Sequence, residues 1–120
     1  MKMKKLLVLI LALLLTLTLF GCGANTRSVV GTWQRETMYL SHYGCDADMF
    51  TTFSEDGTYI SVLREHGTDD VLNTDVGTWE LEDGEVVSKS SKPGSGKVYF
   101  SYNPITNTLD NGGNEYKKIG

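Results

Sequence analysis

The chain has 120 residues, of which 40% are hydrophobic and 10% aromatic, and it carries a formal net charge of −4 at pH 7. This length suits one small domain and excludes a second sizeable core. The acidic balance argues against nucleic acid and anionic headgroups as partners, because phosphate binding requires a basic surface.

An N-terminal segment with three lysines precedes an apolar run of fifteen residues, Leu6–Phe20. The run is shorter than the ~20 residues that cross a hydrocarbon core, so it predicts a cleaved signal peptide rather than a membrane helix. Its last residues, Leu19-Phe20-Gly21-Cys22, resemble the lipobox of bacterial lipoproteins. The resemblance implies a lipoprotein signal peptide over residues 1–21, and fatty acyl chains such as palmitate on Cys22. The mature chain is then anchored in the cell membrane of a bacterium, on its extracytoplasmic side.

The six residues after Cys22 are small or polar and, with it, form a short tether over residues 22–28. They span at most ~20 Å, which holds the folded part close to the bilayer. Without the three signal lysines, eight basic residues face fifteen acidic ones, so the mature charge is −7. Cys45 is then the one remaining thiol, which excludes an internal disulfide.

After the tether, short β-branched and apolar runs alternate with turn residues, and no stretch keeps a helical period for three turns. The first predicted strand is Val29–Leu40, followed by an irregular segment, Ser41–Asp48. A hairpin then joins Met49–Ser54 to Thr58–Leu63 across Glu55-Asp56-Gly57, where Gly57 is suited to the left-handed conformation of a bulged turn.

The second half continues the same pattern. Val71–Leu81 predicts one long bent strand or two short ones, and the remaining predicted strands are Glu85–Ser90, Lys97–Tyr102, Thr108–Asp110 and Glu115–Ile119. Sequential hairpins of this kind avoid exposed edges by closing into a barrel. The prediction for residues 29–120 is therefore an all-β domain, a small antiparallel up-and-down barrel of seven or eight strands.

Four motifs in order carry a family resemblance: Gly31-Thr32-Trp33, Thr52 to Tyr59, Gly77 to Leu81, and Tyr116-Lys117-Lys118-Ile119. Together they resemble the small lipocalin-like domains of bacterial lipoproteins. The resemblance implies a barrel with Gly-x-Trp at its closed end, where the ring of Trp33 plugs the bottom. It also implies a basic side chain over that ring, and Lys117 or Lys118 stands where the family has an arginine.

Strand alternation gives two alternatives for the residues after Trp33. If the Trp33 ring points inward, Arg35, Thr37 and Tyr39 share its face, and Arg35 inside a barrel recognises a carboxylate or phosphate. A bulge after Trp33 instead turns Arg35 to solvent and brings Met38 and Leu40 inward.

The sequence gives weaker support for metal binding and for catalysis. His42 and Cys45 have a spacing seen at zinc sites, but no second pair exists, so a zinc-sensing loop is a third hypothesis behind an ordinary polar loop. Nucleophile and metalloprotease motifs are absent from the sequence, so we expect a non-enzymatic protein without a cofactor.

The expected function is binding of a small apolar or amphiphilic ligand by a membrane-anchored barrel. The candidate ligand-binding residues are those assigned to inward faces: Trp33, Arg35, Tyr39, Phe53, Tyr59, Trp79 and Phe100. The alternative is a barrel without a cavity that contacts an envelope protein through its acidic loops. Probing a soluble domain with lipids and hydrophobic dyes separates the two.

Overall fold

The computed structural model describes residues 26–120. The predicted signal peptide, the acylation of Cys22 and the tether up to Asn25 lie outside the described residues. Within residues 26–120, no helix has the length and apolarity that crossing a membrane requires.

The described chain consists of one short helix and nine strands. The elements are α1 (Thr26–Val29), β1 (Gly31–Arg35), β2 (Met38–Leu40), β3 (Cys45–Phe53), β4 (Thr58–Glu65), β5 (Val71–Glu82), β6 (Glu85–Ser90), β7 (Lys97–Asn103), β8 (Thr108–Asn111) and β9 (Asn114–Lys118).

Eight of the strands form a closed antiparallel barrel. From β3 to β9 each strand pairs with the next along the chain, and β1 closes the ring by pairing with both β9 and β3. Strand β2 pairs with β3 alone and lies beyond the end of β1. The all-β barrel predicted from the sequence is therefore confirmed. Its closure leaves the long strands without an unpaired edge.

Several predicted element bounds are wrong. Val29 ends a helix instead of starting a strand, and the first predicted strand is divided into β1 and β2. Cys45–Asp48 is the start of β3, where the sequence predicted an irregular segment. Its small and acidic side chains are weak strand formers, and pairing with β2 and β4 on both sides overrides that propensity.

The hairpin between β3 and β4 agrees with its prediction. Gly57 has a φ of 85°, the left-handed conformation that the turn requires. The Asp56 carboxylate accepts hydrogen bonds from the backbone N–H and the hydroxyl of Thr58 at 3.0 and 2.6 Å. These bonds lower the pKa of Asp56.

Aromatic rings fill one end of the barrel, which we call the apolar end. Trp33 is completely buried there, and its indole N–H donates to the Val29 carbonyl at 2.8 Å. Lys118 Nζ lies 5.8 Å from the centre of the Trp33 ring, so Lys118 and not Lys117 covers the indole. Phe53 packs edge-on against Trp79 and Phe100, with ring centres 5.4 and 5.9 Å apart.

Candidate functional site

The first strand contains an irregularity that decides which side chains enter the barrel. Gln34 of β1 pairs with Phe50, whereas Met38 of β2 pairs with Ala47. From Gln34 to Met38 the chain advances by four residues, whereas their partners on β3, Phe50 and Ala47, are only three residues apart. One extra residue therefore lies in the connection at Glu36–Thr37. An extra residue reverses the alternation of inward and outward side chains beyond it.

Because the extra residue follows Arg35, each sequence alternative is partly right. Arg35 keeps the inward orientation of Trp33 and pairs with the buried Tyr116. The prediction that Tyr39 points inward is wrong: it is 65% exposed. The second alternative placed a bulge directly after Trp33. The bulge exists, but it lies two residues later along the chain, so it does not turn Arg35 to solvent.

A cavity of about 570 Å³ opens at the end of the barrel opposite the apolar end, and we call this opening the mouth. Polar side chains dominate its wall, and aromatic rings border the packed core beneath it. The lining residues used below are Arg35, Met49, Thr51, Tyr59, Ser61, Asn73, Asp75, Ser88, Ser90, Lys92, Phe100, Asn111, Asn114 and Tyr116. A volume of this size is typical of small-molecule sites.

Arg35 lines the cavity, and its guanidinium lacks a full set of partners. Its Nε and Nη2 atoms are inaccessible to solvent and make no hydrogen bond within the described residues. The guanidinium interacts with the Tyr116 hydroxyl: burial raises the pKa of Tyr116, and the nearby positive charge opposes that rise. Nearly all buried donors in folded proteins are paired, so two unpaired donors on one side chain are unusual.

Asp75 is the carboxylate that lines the cavity, and it already has partners. It accepts hydrogen bonds from the Tyr59 hydroxyl at 2.8 Å and the Ser90 hydroxyl at 2.6 Å. Burial raises the pKa of Asp75, but these bonds outweigh it and hold the pKa below its ordinary value. Burial and the bond to Asp75 raise the pKa of Tyr59 to about 12, so the phenol remains protonated.

Gly77 allows the Tyr59 ring to reach this position. Gly77 lies opposite Tyr59 in the β4–β5 ladder, and a Cβ at residue 77 would collide with the Lys89 carbonyl and the Tyr59 ring. The motif Gly77-Thr78-Trp79, which repeats the Gly-Thr-Trp of β1, therefore places a glycine where two neighbours approach closely and a tryptophan in the core two residues later.

The predicted ligand-binding residues fall into three groups. Arg35, Tyr59 and Phe100 line the cavity. Trp33, Phe53 and Trp79 are buried below it and form its packed floor, where Phe53 contacts the rings of both Tyr59 and Phe100. Tyr39 lies on the outer face and is separate from the cavity.

The small polar residues of the wall were not among the residues predicted from the sequence. Thr51, Ser61 and Ser88 are inward-facing strand residues near the mouth, and Thr51 and Ser61 hydrogen-bond across β3 and β4 at 2.8 Å. Their signal was present in the alternation: β3, β4, β5 and β9 each carry an inward aromatic residue and, nearer the mouth, an inward hydroxyl or amide. Polar residues at inward positions of a barrel indicate a wet cavity rather than a filled core.

A second polar cluster lies beside the mouth, on the outside of the barrel. The buried Asp48 carboxylate accepts a hydrogen bond from the Thr37 hydroxyl at 2.5 Å and contacts His66 Nδ1 at 2.8 Å. Burial alone would raise the pKa of Asp48, but the hydrogen bonds to Thr37 and His66 outweigh burial, and the pKa is lowered overall. In turn, the Asp48 carboxylate raises the pKa of His66.

The loop proposed for zinc has a different arrangement. The exposed His42 ring packs edge-on against Tyr43, with centres 4.9 Å apart. Cys45 is partly buried in β3, and desolvation with the charges of Glu65 and Asp46 raises the pKa of its thiol. Within residues 26–120, no three His, Cys, Asp or Glu side chains are close enough to share a metal ion.

The chain was also compared with known proteins. No protein-family model, no curated protein and no solved structure matches it significantly. The barrel and its cavity are therefore the basis for any assignment of function.

Proposed function

We propose that this protein is a lipid-anchored extracytoplasmic lipoprotein whose barrel binds a small amphiphilic molecule in the mouth cavity. The observation that carries the proposal is the open cavity of about 570 Å³, with aromatic rings at its floor and polar groups around its wall. No catalytic role is included, and the anchor is the acylated Cys22 predicted from the lipobox-like residues.

The wall composition favours an amphiphile over a purely apolar ligand. Hydroxyl and amide groups of Ser61, Asn73, Asn111 and Asn114 border the cavity, and an apolar ligand would remove them from water without replacing their hydrogen bonds. Phe100 and the aromatic residues beneath it supply the apolar contact. The open cavity favours this proposal over the alternative of a barrel filled by side chains that contacts an envelope protein.

The position of the predicted tether supports an orientation for the bound protein. Helix α1 begins at Thr26, four residues after Cys22, and Val29 packs in the core at the apolar end. A lipid on Cys22 therefore holds the apolar end toward the bilayer, and the mouth opens away from it. In this orientation the ligand enters from the aqueous side of the envelope.

The test uses the full chain in lipid nanodiscs and three small amphiphiles: 4-phenylbutanol, 4-phenylbutyrate and 4-phenylbutylamine. We expect at least one to bind, as measured by isothermal titration calorimetry against empty nanodiscs. Ser61→Phe fills the cavity and is expected to weaken that binding by at least ~10-fold. Thr74→Phe places the same ring on the exposed outer face of β5 and is the matched control.

Absence of binding by all three compounds overturns the ligand-binding proposal. Equal weakening by both phenylalanine variants also contradicts it, because only one of the two substitutions enters the cavity. The envelope-protein hypothesis then becomes the better account of the barrel.

A further inference from the structure

We infer that Arg35 is the receptor for a carboxylate, and that the ligand of the mouth cavity is a small organic monocarboxylate. The inference rests on the proposed binding function and adds the chemical class of the ligand and the group that selects it.

The unpaired atoms of Arg35 define the shape of the missing partner. Nε and Nη2 lie on the same edge of the planar guanidinium and present two nearly parallel N–H bonds. Both atoms are buried without a hydrogen-bond partner in residues 26–120, while the guanidinium also interacts with the Tyr116 hydroxyl. A carboxylate matches this edge with its two oxygens, in the bidentate geometry that arginine forms with planar anions.

The barrel itself supplies no anion to this edge. Asp75, the cavity carboxylate, is engaged by Tyr59 and Ser90, and no Asp or Glu of the described chain lies within ion-pair distance of Arg35. Residues 26–120 therefore leave both donors without an acceptor, and we assign that place to a ligand anion.

The charges that line the cavity indicate how much negative charge the ligand carries. Arg35 and Lys92 contribute two positive charges and Asp75 one negative charge, so the lining has a net charge of +1. A monoanion neutralises this lining, whereas a phosphate dianion would leave an excess negative charge next to Asp75 in an already acidic protein. The balance favours a carboxylate over a phosphate group.

The surroundings of Arg35 indicate an organic body behind the carboxylate. Tyr116 is directly opposite Arg35 in the β1–β9 ladder, and its ring centre lies 5.4 Å from that of Phe100. Met49 also lines this part of the cavity, and its sulfur lies 3.6 Å from the Tyr116 hydroxyl oxygen. An aromatic or short aliphatic group extending from the carboxylate would contact these side chains.

The test compares ligands that share one body and differ in charge. In full-length protein in nanodiscs, we expect 4-phenylbutyrate to bind about 10- to 100-fold more tightly than 4-phenylbutanol, and 4-phenylbutylamine and 4-phenylbutylphosphonate to bind more weakly than the carboxylate. Arg35→Gln is expected to remove the preference for the acid over the alcohol. Arg64→Gln removes an arginine from the outer face, where it stacks on Phe50, and is the matched control.

A second measurement does not depend on the stability of the variant. The Arg35 Nε–H resonance of ¹⁵N-labelled wild-type protein is expected to shift on titration with 4-phenylbutyrate and to remain in place with 4-phenylbutanol. Tighter binding of the phosphonate, or equal binding of acid and alcohol with an unmoved Arg35 resonance, overturns the carboxylate assignment and leaves the binding function intact. Failure of every compound to bind overturns both.

Discussion

The proposed binding role of Arg35 comes with a cost in stability. Two buried guanidinium donors without partners lose their hydration in the folded state and gain no protein hydrogen bond in return. Structural arginines in barrels are normally paired, so the unpaired arrangement is best explained by a group reserved for a ligand. The same side chain should therefore destabilise the empty barrel.

Arg35→Met is expected to raise the free energy of unfolding of the unliganded protein by about 1 kcal/mol, because an unbranched apolar side chain replaces a poorly solvated charge. Arg64→Met is the control, and it is expected to lower that free energy by about 0.5–1 kcal/mol through loss of the stacking on Phe50, 5.1 Å away. Urea unfolding followed by tryptophan fluorescence measures both. A loss of stability in Arg35→Met would mean that the charge is satisfied in the empty barrel.

Among the elements, the interrupted first strand has the largest effect on the site. Alternation from Trp33 gave an inward Arg35 as one of two alternatives, and it could not predict where the extra residue occurs, because Glu36 and Thr37 carry no distinctive bulge signal. The hydroxyl of Thr37 is bound to Asp48, which also contacts His66 in the β4–β5 connection. This Thr37–Asp48–His66 cluster joins two connections beside the mouth, so its ionisation should affect stability.

The cluster predicts a defined pH window. The pKa of His66 is raised above 6.5, so its stabilising effect is complete below about pH 6.5 and is lost as the pH rises through the folded-state value. The pKa of Asp48 is lowered below 3.8, so its contribution is present above about pH 3.8 and is lost as the pH falls through its folded-state value. The cluster therefore stabilises most between about pH 4 and 6.5.

We expect His66→Gln to reduce the free energy of unfolding more at pH 5.5 than at pH 8.5, as measured by urea titration at the two pH values. His42→Gln removes a histidine whose ring contacts Tyr43 instead of a carboxylate, and it should show no such difference. A pH-independent effect of His66→Gln would assign the contact a packing role only.

At the scale of the whole molecule, the barrel has two chemically different ends. Trp33, Phe53 and Leu109 are completely or almost completely buried toward the apolar end, while the opposite end holds the cavity. The predicted tether enters at the apolar end. With the proposed acylation of Cys22, the protein is attached through its filled end and exposes its open end.

Cys22→Ser tests the anchor. In a bacterial expression host, the variant is expected to lose incorporation of labelled palmitate completely and to leave the membrane fraction, because the proposed acyl chains provide the attachment. Cys45→Ser changes the second cysteine, within β3, and should keep both label and membrane association. Continued labelling of Cys22→Ser would exclude Cys22 as the acylation site.

By itself, the sequence determined the all-β class and most of the strand positions from β4 to β9. These features follow from local alternation and turn chemistry, which act over a few residues. Only the tertiary structure decided the extra residue between β1 and β2, the outward position of Tyr39 and the meeting of Arg35 with Tyr116. Those features depend on pairing between strands far apart in the chain, and one added residue in such a pairing reverses every side chain beyond it.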